Sequence, residues 1–167
     1  MPHPALEMFD YHVWANQTIL KRLQELPKEL YEQEIVSVFP SISKVMPHIY
    51  MTDSCWLDIL SGISMKEAIA IANSLKEPIG SKSIEELGTM FIELAQRYKS
   101  FFSQHENLDQ TMVLDNPYAG IRETKYSEIV LQIVNHGTYH RGNITAMMRQ
   151  LGHASVMTEY ALFWYST

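Results

Sequence analysis

Two histidines, His136 and His140, stand four residues apart in the middle of an otherwise apolar helical stripe: Ile129, Ile133, His136, His140, Ile144, Met147 and Leu151. Steps of three and four residues are the spacing of a buried helix face. Positions i and i+4 lie one turn apart, with Cβ atoms about 5–6 Å from each other. Two imidazoles so placed can converge on one divalent ion at about 2.0–2.1 Å from each nitrogen. Buried imidazoles need partners for their ring nitrogens, and a metal supplies one per ring. Read alone, the pair fits either a metal site or two core histidines satisfied by other groups. His48 is the candidate third ligand, because it falls on the inward line Val45, His48/Ile49, Thr52, Cys55/Trp56 and Ile59/Leu60 of its own segment. Three neutral histidines leave a coordination position open, the pattern of a catalytic rather than a closed structural site.

Other chemistries lack their residues. A metalloprotease helix carries Glu directly after its first histidine, whereas Gly137 follows His136 here. Phosphate-binding and dinucleotide-binding glycine motifs are absent, and Cys55 is the sole cysteine, so no intrachain disulfide can form. Gly137 is expected to admit a close neighbour, either a helix or a ligand. Gln132 lies one turn before His136 and Thr52 one turn after His48. Asn16, one turn after His12, is expected to face inward. These three are the expected pocket-lining or ligand-orienting residues. His12 reads as an exposed or half-buried helix residue, with a fourth ligand or substrate contact as the alternative. His3, His105 and His153 lie near element ends and read as surface residues. Cys55, about 10 Å along the axis from His48, is too far to share its ion and reads as a small apolar residue. Asp53 is rotated away from His48 and is not favoured as a base. Arg141 is expected to pair with an acid across the molecule or at a dimer contact, and Glu159 is placed to fold back over the site. No catalytic side chain is assigned.

The elements that must carry these residues are helical. A first helix is expected from about Pro4 to Leu26, stopped by Pro27. After an extended link at 36–40, a second is expected from a Ser41 or Ser43 cap to about Ser61. Pro47 should bend it or mark its start. Residues 65–76 suggest a short extra helix, broken by Pro78 and Gly80. Ser83 and Glu86 form a capping-box pattern that opens a third long helix, ending near Asn107. Residues 111–124 hold β-prone pieces around a turn and suggest a small hairpin or ordered loop. A fourth long helix follows, capped by Thr124 and closed by Gly152, and the aromatic tail 158–165 docks as a last turn or two. Four long amphipathic helices predict an all-α fold: a four-helix bundle forming a single domain over residues 1–167.

Bulk properties agree. The 167 residues are 46% apolar and 19% charged, as for a globular domain. A net charge of −6 argues against nucleic acid or anionic lipid as partner. No segment is long and apolar enough to span a bilayer, and the N-terminus has no secretory pattern. With a single cysteine, this predicts a cytoplasmic protein.

Three stretches carry a family resemblance. Asn135-His-Gly-Thr-Tyr-His-Arg-Gly-Asn143 resembles the last-helix signature of the DinB-like superfamily. Asp10-Tyr-His-Val-Trp-Ala-Asn16 resembles its first-helix motif. Ile42-Ser-Lys-Val-Met-Pro-His48, followed by Trp56-Leu57, resembles its second-helix motif. The resemblance runs in order over nearly the whole chain. It implies a bundle with long crossover connections and a metal site of three histidines that map onto His48, His136 and His140, usually with zinc or nickel. It also implies a homodimer. One related branch comprises metal-dependent thiol S-transferases that use bacillithiol or mycothiol, together with a thiol-dependent isomerase. By this resemblance the expected function is transfer of a low-molecular-weight thiol to an electrophilic small molecule. The alternatives are a non-catalytic, stress-response metal-binding dimer or a metal-dependent hydrolase.

Overall fold

A computed structural model describes residues 3–166. Four long helices dominate: α1 (Pro4–Gln24), α3 (Ile42–Leu60), α6 (Ile84–Gln104) and α7 (Tyr126–Gln150). Three short helices, α2 (Lys28–Glu32), α4 (Met65–Ser74) and α5 (Lys76–Gly80), lie in the connections, and α8 (Tyr160–Phe163) ends the chain. Strands β1 (Thr111–Asn116) and β2 (Gly120–Lys125) pair antiparallel, from Thr111 opposite Lys125 to Asn116 opposite Gly120. No helix among the described residues is long and apolar enough to cross a membrane.

Helix α1 packs on α7 and α6, and α3 packs on the same two. The four therefore form a ring in the order α1, α7, α3, α6. Chain neighbours α1 and α3 sit on one diagonal, and α6 and α7 on the other. Diagonal neighbours cannot be joined by a tight turn, so the link through α2 and the β-hairpin serve as the crossovers.

Local chemistry fixes most boundaries. The Ser83 hydroxyl accepts from the Glu86 amide, and the Glu86 carboxylate accepts from the Ser83 amide, completing the capping box of α6. Gly152, with φ of +85°, turns the chain out of α7. Two expectations need correction. Thr124 does not cap α7. It is the penultimate residue of β2, and Lys125 takes the cap position, its amide donating 2.9 Å to Glu128 Oε2, because the strand runs straight into the helix. Pro78 does not break structure: it lies in the first turn of α5, where a missing N–H costs nothing. The five-residue α2 interrupts a link whose sequence shows no helical period. Helix α3 begins at Ile42 with Ser41 at the cap position, as expected, and so does not start at Pro47; it runs on through Pro47, which has no N–H to offer the Ser43 carbonyl.

The core has two apolar halves. One gathers Ile19, Leu20, Val45, Ile49, Leu87 and Ile144, and the other Phe9, Leu57, Leu94, Tyr98, Ile129 and Ile133. On α1, α3 and α7 the residues between these halves are polar: His12 and Asn16, Asp53, and the segment His136–Arg141. A polar belt thus crosses the bundle at mid-height, and the candidate chemistry lies in it.

Candidate metal centre

Helix α7 presents His136 and His140 one turn apart, and α3 presents His48 against them. His48 Nε2 lies 3.1 Å from His136 Nε2 and 3.2 Å from His140 Nε2. One ligand nitrogen from each ring lies within 4.8 Å of the other two. Tetrahedral coordination at about 2.0–2.1 Å puts ligand nitrogens about 3.3 Å apart, close to the two separations from His48, so the donor set fits a divalent ion. Mutual hydrogen bonding does not satisfy the cluster as well, since His48 Nε2 faces two other ring nitrogens and carries at most one proton. The three rings meet at one point, His136 and His140 through their spacing on α7 and His48 through the packing of α3 on it.

Burial disfavours charge on all three rings. It pushes His136 down to about 3 and His140 to about 4, each helped by neighbouring imidazoles. It also lowers His48, where Asp53 opposes the shift and Lys76 adds to it. Neutral imidazoles are the form that binds a metal. The Asn143 amide lies 3.3 Å from His140 Nδ1. With its oxygen turned to the ring it accepts the Nδ1–H and leaves the Nε2 lone pair free. Asn143 is not among the residues singled out from sequence, although its place three residues after His140 puts it within reach on the helix. Phe39, from the link before α3, covers the cluster with its ring centroid 5.6 Å from His48 and 5.5 Å from His140.

Behind the triad is a second constellation. His12 is 1% exposed, Asp53 3% and Arg141 1%. Arg141 Nη1 donates to His12 Nδ1 at 3.1 Å and to Asn16 Oδ1 at 2.8 Å, and Nη2 donates to Thr138 Oγ1 at 2.9 Å. Arginine has no acceptor, so His12 Nδ1 is unprotonated and its Nε2–H donates to Asp53 Oδ2 at 2.8 Å. The Tyr98 hydroxyl donates to the Asp53 carbonyl at 2.6 Å. A neutral histidine thus bridges a buried carboxylate and a buried guanidinium, which also lies 5.5 Å above the Tyr11 ring. Buried charges are costly unless paired, and this pair keeps two unsatisfied atoms, Asp53 Oδ1 and Arg141 Nε, which have no hydrogen-bond partner among the described residues.

This network corrects several expectations. His12 is neither exposed nor a ligand of the triad; it is a buried bridge. Asn16 does face inward, but onto His12 and Arg141. Arg141 reaches its acid through a ring rather than directly. Gly137 admits the close neighbour, and that neighbour is His12. Thr52 lines the cavity beside His48, as does the half-buried Cys55. Gln132 is exposed and lines a separate depression with Trp56 and Asn135. Glu159 lies beside Thr158 and Tyr160 in another depression, not over the triad. His3, His105 and His153 are half-buried at element ends, and all lie outside the triad. His3 caps α1 through Nδ1, and His105 stacks on Phe101 with centroids 4.1 Å apart.

The cavity beside His48 has a volume of about 390 Å³, and its walls include Met51, Trp56, Ile59 and Met65. A second cavity of about 600 Å³ adjoins it and shares His48, Met51 and Lys76.

A crossover-connected helical bundle with three histidines converging at mid-height defines a class of compact bundles able to hold one metal ion. The DinB family model matches residues 1–167, and the chain belongs to the DinB family. It is 50% identical over 163 residues to the protein DinB of Bacillus subtilis, covering 98% of this chain and 95% of that one. A crystal structure of a DinB-like protein from Bacillus cereus superposes with a TM-score of 0.64 over 92% of this chain and 95% of that one. Its sequence identity is 19%, so the likeness concerns the fold.

Proposed function

We propose that this chain is a metal-dependent enzyme, with His48, His136 and His140 as the ligands of zinc or nickel, that transfers a low-molecular-weight thiol to an electrophilic small molecule. The observation that carries this reading is the convergence of three Nε2 atoms, with no fourth His, Cys, Asp or Glu in the cluster among the described residues, beside a cavity that His48 itself lines. A closed structural site would add a fourth protein ligand. A divalent ion held there lowers the pKa of a thiol that meets it.

The chain's own residues do the rest. The three imidazoles, kept neutral by burial, present lone pairs. The Asn143 amide fixes the His140 ring. Thr52 and the apolar wall beside His48 orient the electrophile, and Phe39 keeps bulk water from the other side. The test is conjugation of bacillithiol, or another cellular thiol, to a model electrophile by zinc- and nickel-loaded protein. A rate above the metal-free control is expected, and no such rate across several thiols would reject the reading.

A second reading, a non-catalytic dimeric metal-binding module, draws support from the outer face of α7, where Leu131 is 46% and Tyr139 62% exposed. It predicts a dimer that takes up metal and shows no turnover with any thiol. A hydrolase would need a carboxylate as proton carrier. Asp53 is sealed in its own network, and Glu77, in the adjoining cavity, is the group it would draw on.

A further inference from the structure

We propose that the cavity beside His48 is a binding site for a small anionic amphiphile, a molecule with an aryl or short alkyl body and one carboxylate-like group. The body would lie among Met51, Trp56, Ile59, Met65 and Ile69, and the anion would meet Lys76 at the junction with the second cavity. The inference deepens the proposed function, since it names a substrate class for the same site.

Four observations support it. The volume, about 390 Å³, is in the range that holds small organic ligands, and one stretch of its wall, Met51, Trp56, Ile59, Met65 and Ile69, is apolar. Lys76 is the one charged side chain that lines this cavity, and no carboxylate does; the adjoining cavity adds one cation and one anion, Lys44 and Glu77, which offset each other. Lys76 forms no ion pair among the described residues, so its charge is available to a ligand. The chain carries a net charge of −6, so this lysine is not part of a generally basic surface. A lone ammonium at the edge of an apolar cavity selects a ligand with an apolar body and a negative end. A cation would be repelled, and a neutral molecule would leave the ammonium unused. Thr52, Asn73 and Asn116 add hydrogen-bonding groups on the same wall.

The test uses zinc-loaded full-length protein, titrated calorimetrically with phenylbutyrate and with phenylbutanol, its uncharged counterpart of similar shape. The same titrations are run on Lys76→Gln. Cys55 is the only thiol of the chain and lines the same cavity, so its alkylation by iodoacetamide reports where the ligand sits. Because Lys76 is exposed, the acid should bind about three- to fivefold more tightly than the alcohol. In Lys76→Gln that preference should shrink to less than about twofold with alcohol binding unchanged, and saturating acid should slow Cys55 alkylation in the parent protein. Equal affinities, a preference that survives Lys76→Gln, binding without protection of Cys55, or no binding would each overturn the proposal. None of these readouts requires a thiol substrate or turnover. A protein that binds the acid in this way yet transfers no thiol would therefore refute the catalytic reading alone.

Discussion

The Cβ that Gly137 lacks would fall 2.3 Å from Cε1 of His12 and 2.7 Å from its Nδ1. The imidazole of α1 occupies the space that a side chain on α7 would need, and Arg141 Nη1, at 2.8 Å, closes the remaining side. None of these atoms belongs to a free side-chain end, because both groups are held by hydrogen bonds in the buried network. Gly137→Ala should therefore destabilise the fold by about 1–3 kcal/mol, the usual cost of overpacking. Urea unfolding would show a lower midpoint at unchanged slope. An unchanged midpoint would mean that His12 is not fixed where the structure puts it.

The charges at the two ends of the His12 bridge should depend on each other. Asp53→Ala leaves the Arg141 cation buried without its counter-charge, and Arg141→Met leaves the carboxylate. Each should cost about 3 kcal/mol or more. The double substitution should cost clearly less than the sum, because neither unpaired charge remains. Additive losses in chemical denaturation would show that the bridge carries no electrostatic coupling.

Metal content gives a direct test of the triad. His140→Ala should lose most of the ion measured by elemental analysis, and its thermal midpoint should fall toward that of metal-free protein, since binding to the folded state alone adds stability. Asn143→Ala should keep the ion with an affinity about 10- to 100-fold weaker, as for loss of a group that orients a ligand. Equal metal content in His140→Ala and parent would remove His140 from the site.

Acid should weaken the metal-free protein earlier than its carboxylates require. His136 is held down to about 3 and His140 to about 4, against an ordinary 6.5. Below 6.5 the unfolded chain takes up protons that the folded chain refuses. Their contribution is complete above that value and is lost progressively as pH falls toward 4 and then 3. The decline should begin below about pH 6.5, before most carboxylates titrate. Replacing His136 and His140 together by Phe should flatten the decline above about pH 4.5 in urea denaturation. A slope unaffected by that replacement would contradict the burial of these rings.

What the sequence could reveal depended on whether a feature was local. The periodic stripes of α1, α3, α6 and α7, the Ser83–Glu86 box, the hairpin and Gly152 are written within a few residues of where they act, and all are recognisable. His136 and His140 are legible for the same reason, as two imidazoles where a seam expects Leu or Ile. His48 could be placed on an inward line, but only folding brings it to α7. The Asp53–His12–Arg141 chain was hidden because its members come from three helices and each looks ordinary in its own segment. Lys76 was hidden too: on α5 it reads as one more solvated lysine, and its meaning comes from the apolar cavity beside it. The Thr124 cap failed for a different reason, in that a strand entering a helix directly moves the cap by one residue.

With His136 and His140 on a single turn of α7 and His48 88 residues before His136, two of the three ligands are set by one helix and the third is brought in by long-range folding. An ion shared by all three would staple α3 to α7 and enclose α4, α5, α6 and the hairpin in one covalent-like loop. Unfolding would then have to open that clasp before those elements could separate, whereas α1 lies outside the loop. Stripping the ion should accordingly speed backbone hydrogen exchange in α3 more than in the part of α1 that faces α6, which makes the metal a thermodynamic reporter of whether α3 and α7 have found each other.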